Sequence, residues 1–147
     1  MKLAQCTWPE VEGYLAGSDG IILPVGAKEQ HVPMGLIGTD AICAEEIAWA
    51  AGDIASAMVA PTLAYTPAPF NTGFPGTVSV SEAVFKGLLG EVFEGLIAQG
   101  FGRIYVWVLH QGDRGPLATT FHLVGTRQVE EKTCRESGEG WWGAAKP

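Results

Sequence analysis

Residues 20–40 read GIILPVGAKEQHVPMGLIGTD, and this stretch decides the predicted fold. Its first six residues form a continuous apolar run that Pro24 and Gly26 close, which is typical of a strand buried on both faces of a parallel sheet. A loop follows, and Asp40 then stands where it can cap the first turn of a helix. We therefore expect a strand, a loop at its carboxyl end and a helix, in that order.

Two segments have the apolar periodicity of helices. Small and apolar residues recur at helical spacing over 40–58. Ser79 and Glu82 have the three-residue offset of a capping box, and apolar residues then repeat at helical spacing up to Gly100. Between the two helices, YTPAPFNTGFPG at 65–76 is rich in Pro and Gly and predicts an irregular loop.

Strands are predicted after each of these helices. Residues 59–63 are predicted to form a short strand, and residues 103–109 (RIYVWVL) are predicted to form a strand rich in β-branched and aromatic side chains. Residues 117–124 are a candidate for a further strand. The alternation of strands and helices predicts an α/β fold with a parallel sheet and right-handed crossovers.

Composition excludes several classes of protein. The 147 residues form one domain, and 9 Lys and Arg against 16 Asp and Glu give a net charge of -7, which disfavours a nucleic-acid partner. No apolar run approaches the roughly 18 residues of a membrane span, and no signal-peptide core is present, so we expect a cytoplasmic protein without membrane contact. Cys6, Cys43 and Cys134 lack C-x-x-C spacing, which argues against a disulfide framework and a thiolate zinc site.

Two carboxylates and two imidazoles follow predicted strands at one edge of the sheet. Glu29 and His31 follow the first strand, Asp40 begins the next helix, and His110 follows 103–109. Singly, Asp40 is a helix cap, Glu29 a solvated charge, and each histidine a structural residue. Together they suit a divalent cation such as Zn²⁺, Mn²⁺ or Fe²⁺. His122 has no acidic neighbour and is interpreted as structural.

The segment LPVGAKEQHVPMGLIGTD at 23–40 resembles the amino-terminal signature of the creatininase (creatinine amidohydrolase) family, L-P-x-G-x-x-E-Q-H-x-P-x-x-x-x-G-T-D. Three further segments are similar to family motifs in the same order: Ala60-Pro61-Thr62, Gly73-Phe74-Pro75-Gly76-Thr77 and His110-Gln111-Gly112-Asp113. The resemblance covers roughly residues 20 to 113. It implies a three-layer α/β domain over 1–125, truncated at its carboxyl end and followed by a polar tail, 126–147, which contains Trp141 and Trp142.

The family's activity is metal-dependent hydrolysis of cyclic amides or N-acyl groups. The resemblance implies that Glu29 and His31 are metal ligands, that Asp40 bridges two metals, and that His110 is the ligand after the third strand. One or two divalent ions at such a site activate water for attack on an amide carbonyl without a covalent enzyme intermediate. The implied partners are a small-molecule substrate and further copies of the chain, since the family forms oligomers.

The sequence departs from the family pattern at several places. Met34 replaces a histidine, Ala68 and Asn71 replace a serine and a histidine, and the carboxyl-terminal acidic motif is absent. One acidic ligand of the family is therefore unaccounted for. Asp113, the candidate catalytic residue, is the nearest replacement, with Glu130 or Glu131 as alternatives if the tail folds back. Two hypotheses follow: a reduced metallohydrolase, or a catalytically degenerate relative that binds a metal or small ligand or serves as an assembly subunit.

Overall fold

The computed structural model describes residues 1–110 and 129–133. Within them, parallel strands form one sheet in the order β2-β1-β3-β4. These strands are β1 (Gly20–Val25), β2 (Met58–Val59), β3 (Arg103–Val108) and β4 (Val129–Thr133). The α-helices are α1 (Trp8–Leu15), α2 (Thr39–Ala55) and α3 (Glu82–Ala98). The predicted parallel α/β fold is confirmed.

The helices α2 and α3 cover opposite faces of the sheet. The connection from β1 to β2 moves one way across the sheet and the connection from β2 to β3 moves back past β1, so right-handed crossovers place the two helices on opposite sides. Helix α3 contributes Phe85, Leu89 and Phe93 to the core formed with β1 and β3. Helix α2 instead buries mainly alanines, which lets its backbone lie close to the sheet.

Asp40 does not cap helix α2, and this prediction is wrong. The N-cap is Gly38, and Asp40 lies in the first helical turn, where its side chain contacts His31 rather than a backbone N–H group. The helix also ends earlier than predicted. Ser56 adopts a left-handed conformation with φ of 52° and stops the helix before Met58, the first residue of β2.

The start of helix α3 also differs from the prediction. Ser81 is the N-cap, and its Oγ accepts a hydrogen bond from the Val84 N–H at 3.3 Å. The predicted capping residue, Ser79, instead accepts a hydrogen bond from the Ala68 N–H at 2.8 Å, so its side chain fastens the preceding loop. Both serines precede Glu82, and the sequence spacing alone chose the wrong one.

Strand β2 is shorter than the predicted 59–63. Pro61 has no N–H to continue the ladder, and Leu63 meets Val25 only at an isolated bridge. Strand β3 ends one residue before the predicted Leu109, although the Leu109 N–H still donates to the Val25 carbonyl at 3.2 Å.

One α-helix and one strand were not predicted. Helix α1 begins with a capping box, in which the Glu10 carboxylate accepts from the Thr7 N–H at 2.7 Å. Strand β4 lies inside the expected polar tail and pairs in parallel with β3, beginning at Ile104 opposite Val129. The candidate strand at 117–124 and the Trp141-Trp142 pair lie outside the described residues, as does His122.

Among the residues that the structure describes, no helix combines the length and apolar character needed to cross a bilayer.

Candidate metal centre

The candidate site lies at the carboxyl ends of β1 and β3, which are neighbours in the sheet. Val25 and Val108, the last residues of these strands, are register partners. From this point the chain leaves β1 towards β2 on one side and leaves β3 towards β4 on the other. Such a switch of direction opens a crevice between the loops, where open α/β sheets bind ligands.

The loop after β1 is fastened to itself and to the segment that precedes α3. The Glu29 N–H donates to the Ile37 carbonyl at 2.9 Å. The Val78 N–H donates to the Lys28 carbonyl at 3.0 Å, and the Gln30 N–H donates to Thr77 Oγ1 at 3.0 Å. Glu29 and Gln30 therefore occupy fixed backbone positions, although they belong to a loop.

Two glycines allow the backbone to pack tightly around this loop. A Cβ atom at Gly26 would lie 2.6 Å from the Ala41 nitrogen, so only glycine lets the end of β1 touch the first turn of α2. A Cβ atom at Gly35 would overlap the His31 carbonyl oxygen. Val32, between them, has φ of 53°, a left-handed conformation that is uncommon for a β-branched residue.

These constraints bring the predicted ligands together as two acid–imidazole pairs. His31 Nε2 lies 3.1 Å from Asp40 Oδ1, and His110 Nε2 lies 3.3 Å from Glu29 Oε1. The side chains of Glu29, Asp40 and His110 are only 12–13% exposed. One ligand atom from each of Glu29, His31 and Asp40 falls within 4.8 Å of the others, which makes these three a candidate metal-binding group.

The orientation of the His31 ring determines what can occupy its contact with Asp40. His31 Nδ1 lies 3.1 Å from the Glu29 carbonyl oxygen, and a carbonyl can only accept, so Nδ1 carries a proton. In the neutral ring, Nε2 then presents its lone pair to Asp40 Oδ1. Since two acceptors repel each other, the contact requires either a proton or a cation between them.

The Asp40 carboxyl group is poorly solvated. Burial raises the pKa of its carboxyl group above the ordinary value, and His31 and His110, in their protonated forms, oppose this shift. Its Oδ2 atom is buried and has no hydrogen-bond partner among the described residues. An unpaired buried carboxylate oxygen is unfavourable in a purely structural site and is typical of a group that awaits a cation or a proton.

Sequence reasoning missed a contact that holds Glu29. Asn71 Nδ2 donates to Glu29 Oε2 at 2.6 Å, and Gln30 Nε2 donates to Asn71 Oδ1 at 3.0 Å. The sequence identifies Asn71 only as the replacement of a family histidine. Its position 42 residues after Glu29 gives no local signal of the contact.

The remaining candidate residues are placed differently. Met34 is 94% exposed, and Ala68 is buried. Asp113 lies outside the described residues. Glu130 and Glu131 lie in β4, where their backbones pair with Tyr105 and Val106 of β3.

Comparison with known proteins identifies similar chains. The family model Creatininase, described as creatinine amidohydrolase, matches residues 4–146. A mycofactocin precursor peptide peptidase from Mycolicibacterium smegmatis (strain ATCC 700084 / mc(2)155) is 38% identical over 77 residues, which cover 48% of this chain and 31% of that protein. A creatinine amidohydrolase from Pseudomonas putida is 28% identical over 108 residues, which cover 69% of this chain and 42% of that protein.

Solved creatininase structures share the fold. A creatininase point mutant superposes with a TM-score of 0.84 at 23% identity, covering 92% of this chain and 59% of the other. A manganese creatininase gives 0.81 at 22% identity, covering 90% and 56%. A variant of the Zn-Zn type gives 0.80 at 23% identity, covering 90% and 56%. The chain thus spans less than two thirds of the length of each of these proteins.

Proposed function

This chain belongs to the creatininase family, and we propose that it is a metal-dependent hydrolase of a small-molecule amide, of the cyclic-amide or N-acyl kind. The observation that carries the proposal is the contact between His31 Nε2 and Asp40 Oδ1 at 3.1 Å, beside a buried and unpartnered Asp40 Oδ2. In a purely structural site, the unpartnered Oδ2 atom would be unfavourable. A divalent cation would satisfy both atoms.

The described residues fit a metal in number and chemistry. Glu29, His31, Asp40 and His110 would hold it, because carboxylate oxygen and imidazole nitrogen suit Zn²⁺, Mn²⁺ and Fe²⁺. Bound there, one or two such ions would supply Lewis acidity, which polarises an amide carbonyl and eases the deprotonation of water.

The protein's own groups prepare this site before any metal binds. The Glu29 carbonyl fixes the His31 tautomer, so that Nε2 is the free nitrogen. Low exposure of Glu29, Asp40 and His110 strengthens electrostatic interactions with a cation. Asp113, outside the described residues, remains the candidate for a further catalytic carboxylate.

A peptide is the second candidate substrate. Large apolar side chains protrude from the loop after β1, which carries Glu29 and His31, and from the loop around Asn71: Met34 is 94% exposed, Phe70 is 96% exposed and Val32 is 71% exposed. Such side chains suit an apolar peptide better than a small polar ring. One relative is also described as a precursor peptide peptidase.

We also propose that the chain forms a homo-oligomer. Helix α2 exposes Ile42, Ile47 and Ile54 by 47%, 42% and 88%, which leaves apolar surface on the side away from the sheet. Light scattering should give a mass above the 15.5 kDa of one chain. A monodisperse monomer at micromolar concentration would contradict this proposal.

Elemental analysis tests the metal. Wild type is compared with His31→Ala, Asp40→Ala and the control Asp19→Asn, which alters an exposed ion pair at the other end of the sheet. We expect one or two divalent ions per chain in wild type and in Asp19→Asn, and most of the metal lost from the other two. Equal, near-zero metal in all four proteins would overturn the proposal.

Activity is then measured on the metal-loaded wild type with a cyclic amide, an N-acylated amine and an apolar dipeptide, by release of the amine. Turnover of any of the three supports hydrolysis and assigns the substrate class. Stoichiometric metal without turnover of any substrate would instead support the catalytically degenerate alternative.

A further inference from the structure

We propose that Gln30 and Asn71 are positioning residues for the metal centre: their amides form a hydrogen-bond chain of fixed polarity that presents the Glu29 carboxylate to the ion. This inference rests on the proposed metal-binding function. It adds two residues that do not themselves supply metal ligands, and it couples the loop around Asn71 to the site.

The chain of hydrogen bonds runs from a backbone group to the carboxylate. The Val32 N–H donates to Gln30 Oε1 at 2.9 Å, Gln30 Nε2 donates to Asn71 Oδ1 at 3.0 Å, and Asn71 Nδ2 donates to Glu29 Oε2 at 2.6 Å. The last bond is the shortest, as expected for an amide donating to an ionised group.

The polarity of this chain is imposed by its two ends. A backbone N–H can only donate and an ionised carboxylate can only accept, so the amides of Gln30 and Asn71 have one orientation that satisfies every bond. Without Gln30, the Asn71 amide could turn its oxygen towards Glu29 and repel it. Gln30 thus acts on Glu29 through Asn71.

The chain also assigns separate roles to the two Glu29 oxygens. Asn71 holds Oε2, whereas Oε1 lies 3.3 Å from His110 Nε2 on the side of the candidate ligands. A carboxylate held at one oxygen loses little rotamer freedom when the other binds a cation. Hydrogen bonds of this kind to metal ligands affect affinity about 10–100-fold.

The turn that carries Asn71 does not need the Asn71 side chain. Residues Pro69–Asn71 form a 3₁₀ turn, closed by the Asn71 N–H donating to the Ala68 carbonyl at 3.3 Å. Thr72 Oγ1 adds a bond to the Pro69 carbonyl at 3.0 Å. The Asn71 side chain is therefore available for Glu29, and Thr72→Val offers a matched control that loses a bond of the same turn.

The test measures affinity for Mn²⁺ and Zn²⁺ by competition with a chromogenic chelator, on wild type, Asn71→Leu, Gln30→Met, Asn71→His and Thr72→Val. Thermal melting of each metal-free protein is measured alongside. We expect Asn71→Leu to weaken binding about 10–100-fold and Gln30→Met to weaken it less. Thr72→Val should bind as wild type, and Asn71→His, whose ring N–H can donate to Glu29, should recover most of the affinity lost in Asn71→Leu.

The outcomes separate this inference from the proposed function. Tight binding by wild type and equally tight binding by Asn71→Leu would overturn the inference and leave the metal site standing. Equal losses of metal affinity in Asn71→Leu and Thr72→Val would also overturn it. So would losses of affinity that simply follow the fall in melting temperature, because both results indicate loop damage alone. Absence of metal binding in wild type would overturn the proposed function and the inference together.

Discussion

The two ends of the parallel sheet use polar groups differently, although the same strands reach both. At the amino end, Tyr14 lies between the starts of β1 and β2. Its hydroxyl donates to the Gly20 carbonyl at 2.6 Å and accepts from the Met58 N–H and from Ser18 Oγ, both at 3.1 Å. One donor and two acceptor sites are all that a hydroxyl has, so the group is fully satisfied.

The carboxyl end leaves its polar groups incompletely satisfied. Asp40 Oδ2 is buried without a partner among the described residues, and the His31–Asp40 contact requires a proton or cation. It also contains Val32 in a left-handed conformation. Folding alone explains the amino end, whereas the carboxyl end retains unfavourable features of the kind that cluster at functional sites.

The largest expected effect is the loss of stability when alanine replaces Gly26, at the carboxyl end of β1. Gly20→Ala, at the amino end of the same strand, is the matched control. At Gly26 a Cβ atom would lie 2.6 Å from backbone atoms of Asp40 and Ala41, which cannot rotate away. At Gly20 it would lie 3.6 Å from a Tyr105 ring carbon, an ordinary contact. We expect Gly26→Ala to lower the free energy of unfolding by about 3 kcal/mol and to abolish metal binding, and Gly20→Ala to change it by less than about 1 kcal/mol.

Urea denaturation and chelator competition measure both glycine variants. Equal stability of the two would show that the end of β1 can separate from α2. The close approach of Gly26 to the first turn of α2 would then not determine the geometry of the site.

The next largest effect concerns the Tyr14 hydroxyl. Tyr14→Phe keeps the ring that packs near Phe101 but leaves the Gly20 carbonyl and the Met58 N–H without this partner. We expect a loss of about 2 kcal/mol in the free energy of unfolding, with unchanged metal affinity. Denaturation and metal titration measure the two quantities separately. Weakened metal binding in Tyr14→Phe would show that the two ends are coupled.

These two ends also differ in how far the sequence predicts them. The placement of Glu29, His31 and Asp40 together could be predicted, because a short strand, a loop and a helix start fix their relative positions. The approach of His110 followed from parallel pairing of β1 with β3. The contact between Asn71 and Glu29 could not be predicted, because it depends on how two loops separated by 42 residues pack together.

Local signals were ambiguous elsewhere. Asp40 suits a helix cap as well as a site residue, and only tertiary contact with His31 decides between them. Strand β4 reads VEEKT, whose charged residues resemble a solvated tail more than a sheet strand. This segment forms a strand because it pairs with β3. Its own composition does not reveal that partner.

A smaller effect is expected at Asp40, where the carboxylate that metal binding needs lowers the stability of the protein without metal. Burial raises the pKa of Asp40 in the folded, metal-free protein above 3.8, the ordinary value that the unfolded chain keeps. The folded state then holds the proton more tightly than the unfolded state, so stability falls as pH rises through the interval above 3.8. Asp40→Asn cannot ionise and removes this fall.

We expect metal-free Asp40→Asn to be more stable than metal-free wild type by about 1 kcal/mol at neutral pH, although it binds metal poorly. The advantage should shrink as pH falls through the interval above 3.8, because the wild-type carboxyl group takes up its proton there. Urea denaturation across this pH range measures it, with Glu46→Gln, an exposed acid on the same helix, as the control. A less stable Asp40→Asn at neutral pH would contradict the idea that the carboxylate is unfavourable without a cation.

The smallest effect on stability is expected from breaking the Asp19–Arg103 ion pair at the amino end of the sheet. It is the counterpart of the His31–Asp40 pair at the carboxyl end. Asp19 Oδ1 accepts from Arg103 Nη2 at 2.6 Å and from Nε at 2.7 Å, but the two side chains are 45% and 57% exposed. Solvent screens such a pair, and the Arg103 N–H bond to the Asp19 carbonyl, at 3.1 Å, needs no charge.

Asp19→Asn should therefore shift the melting temperature only slightly, and 1 M salt should remove the difference from wild type because it screens exposed charges. Metal content should not change. Exposure decides the contrast with Asp40, since both residues are acids paired with a cationic or protonatable partner. If Asp19→Asn lost metal as Asp40→Asn does, the charge of this pair would be acting across the whole length of β1, and the separation between a structural end and a functional end would fail.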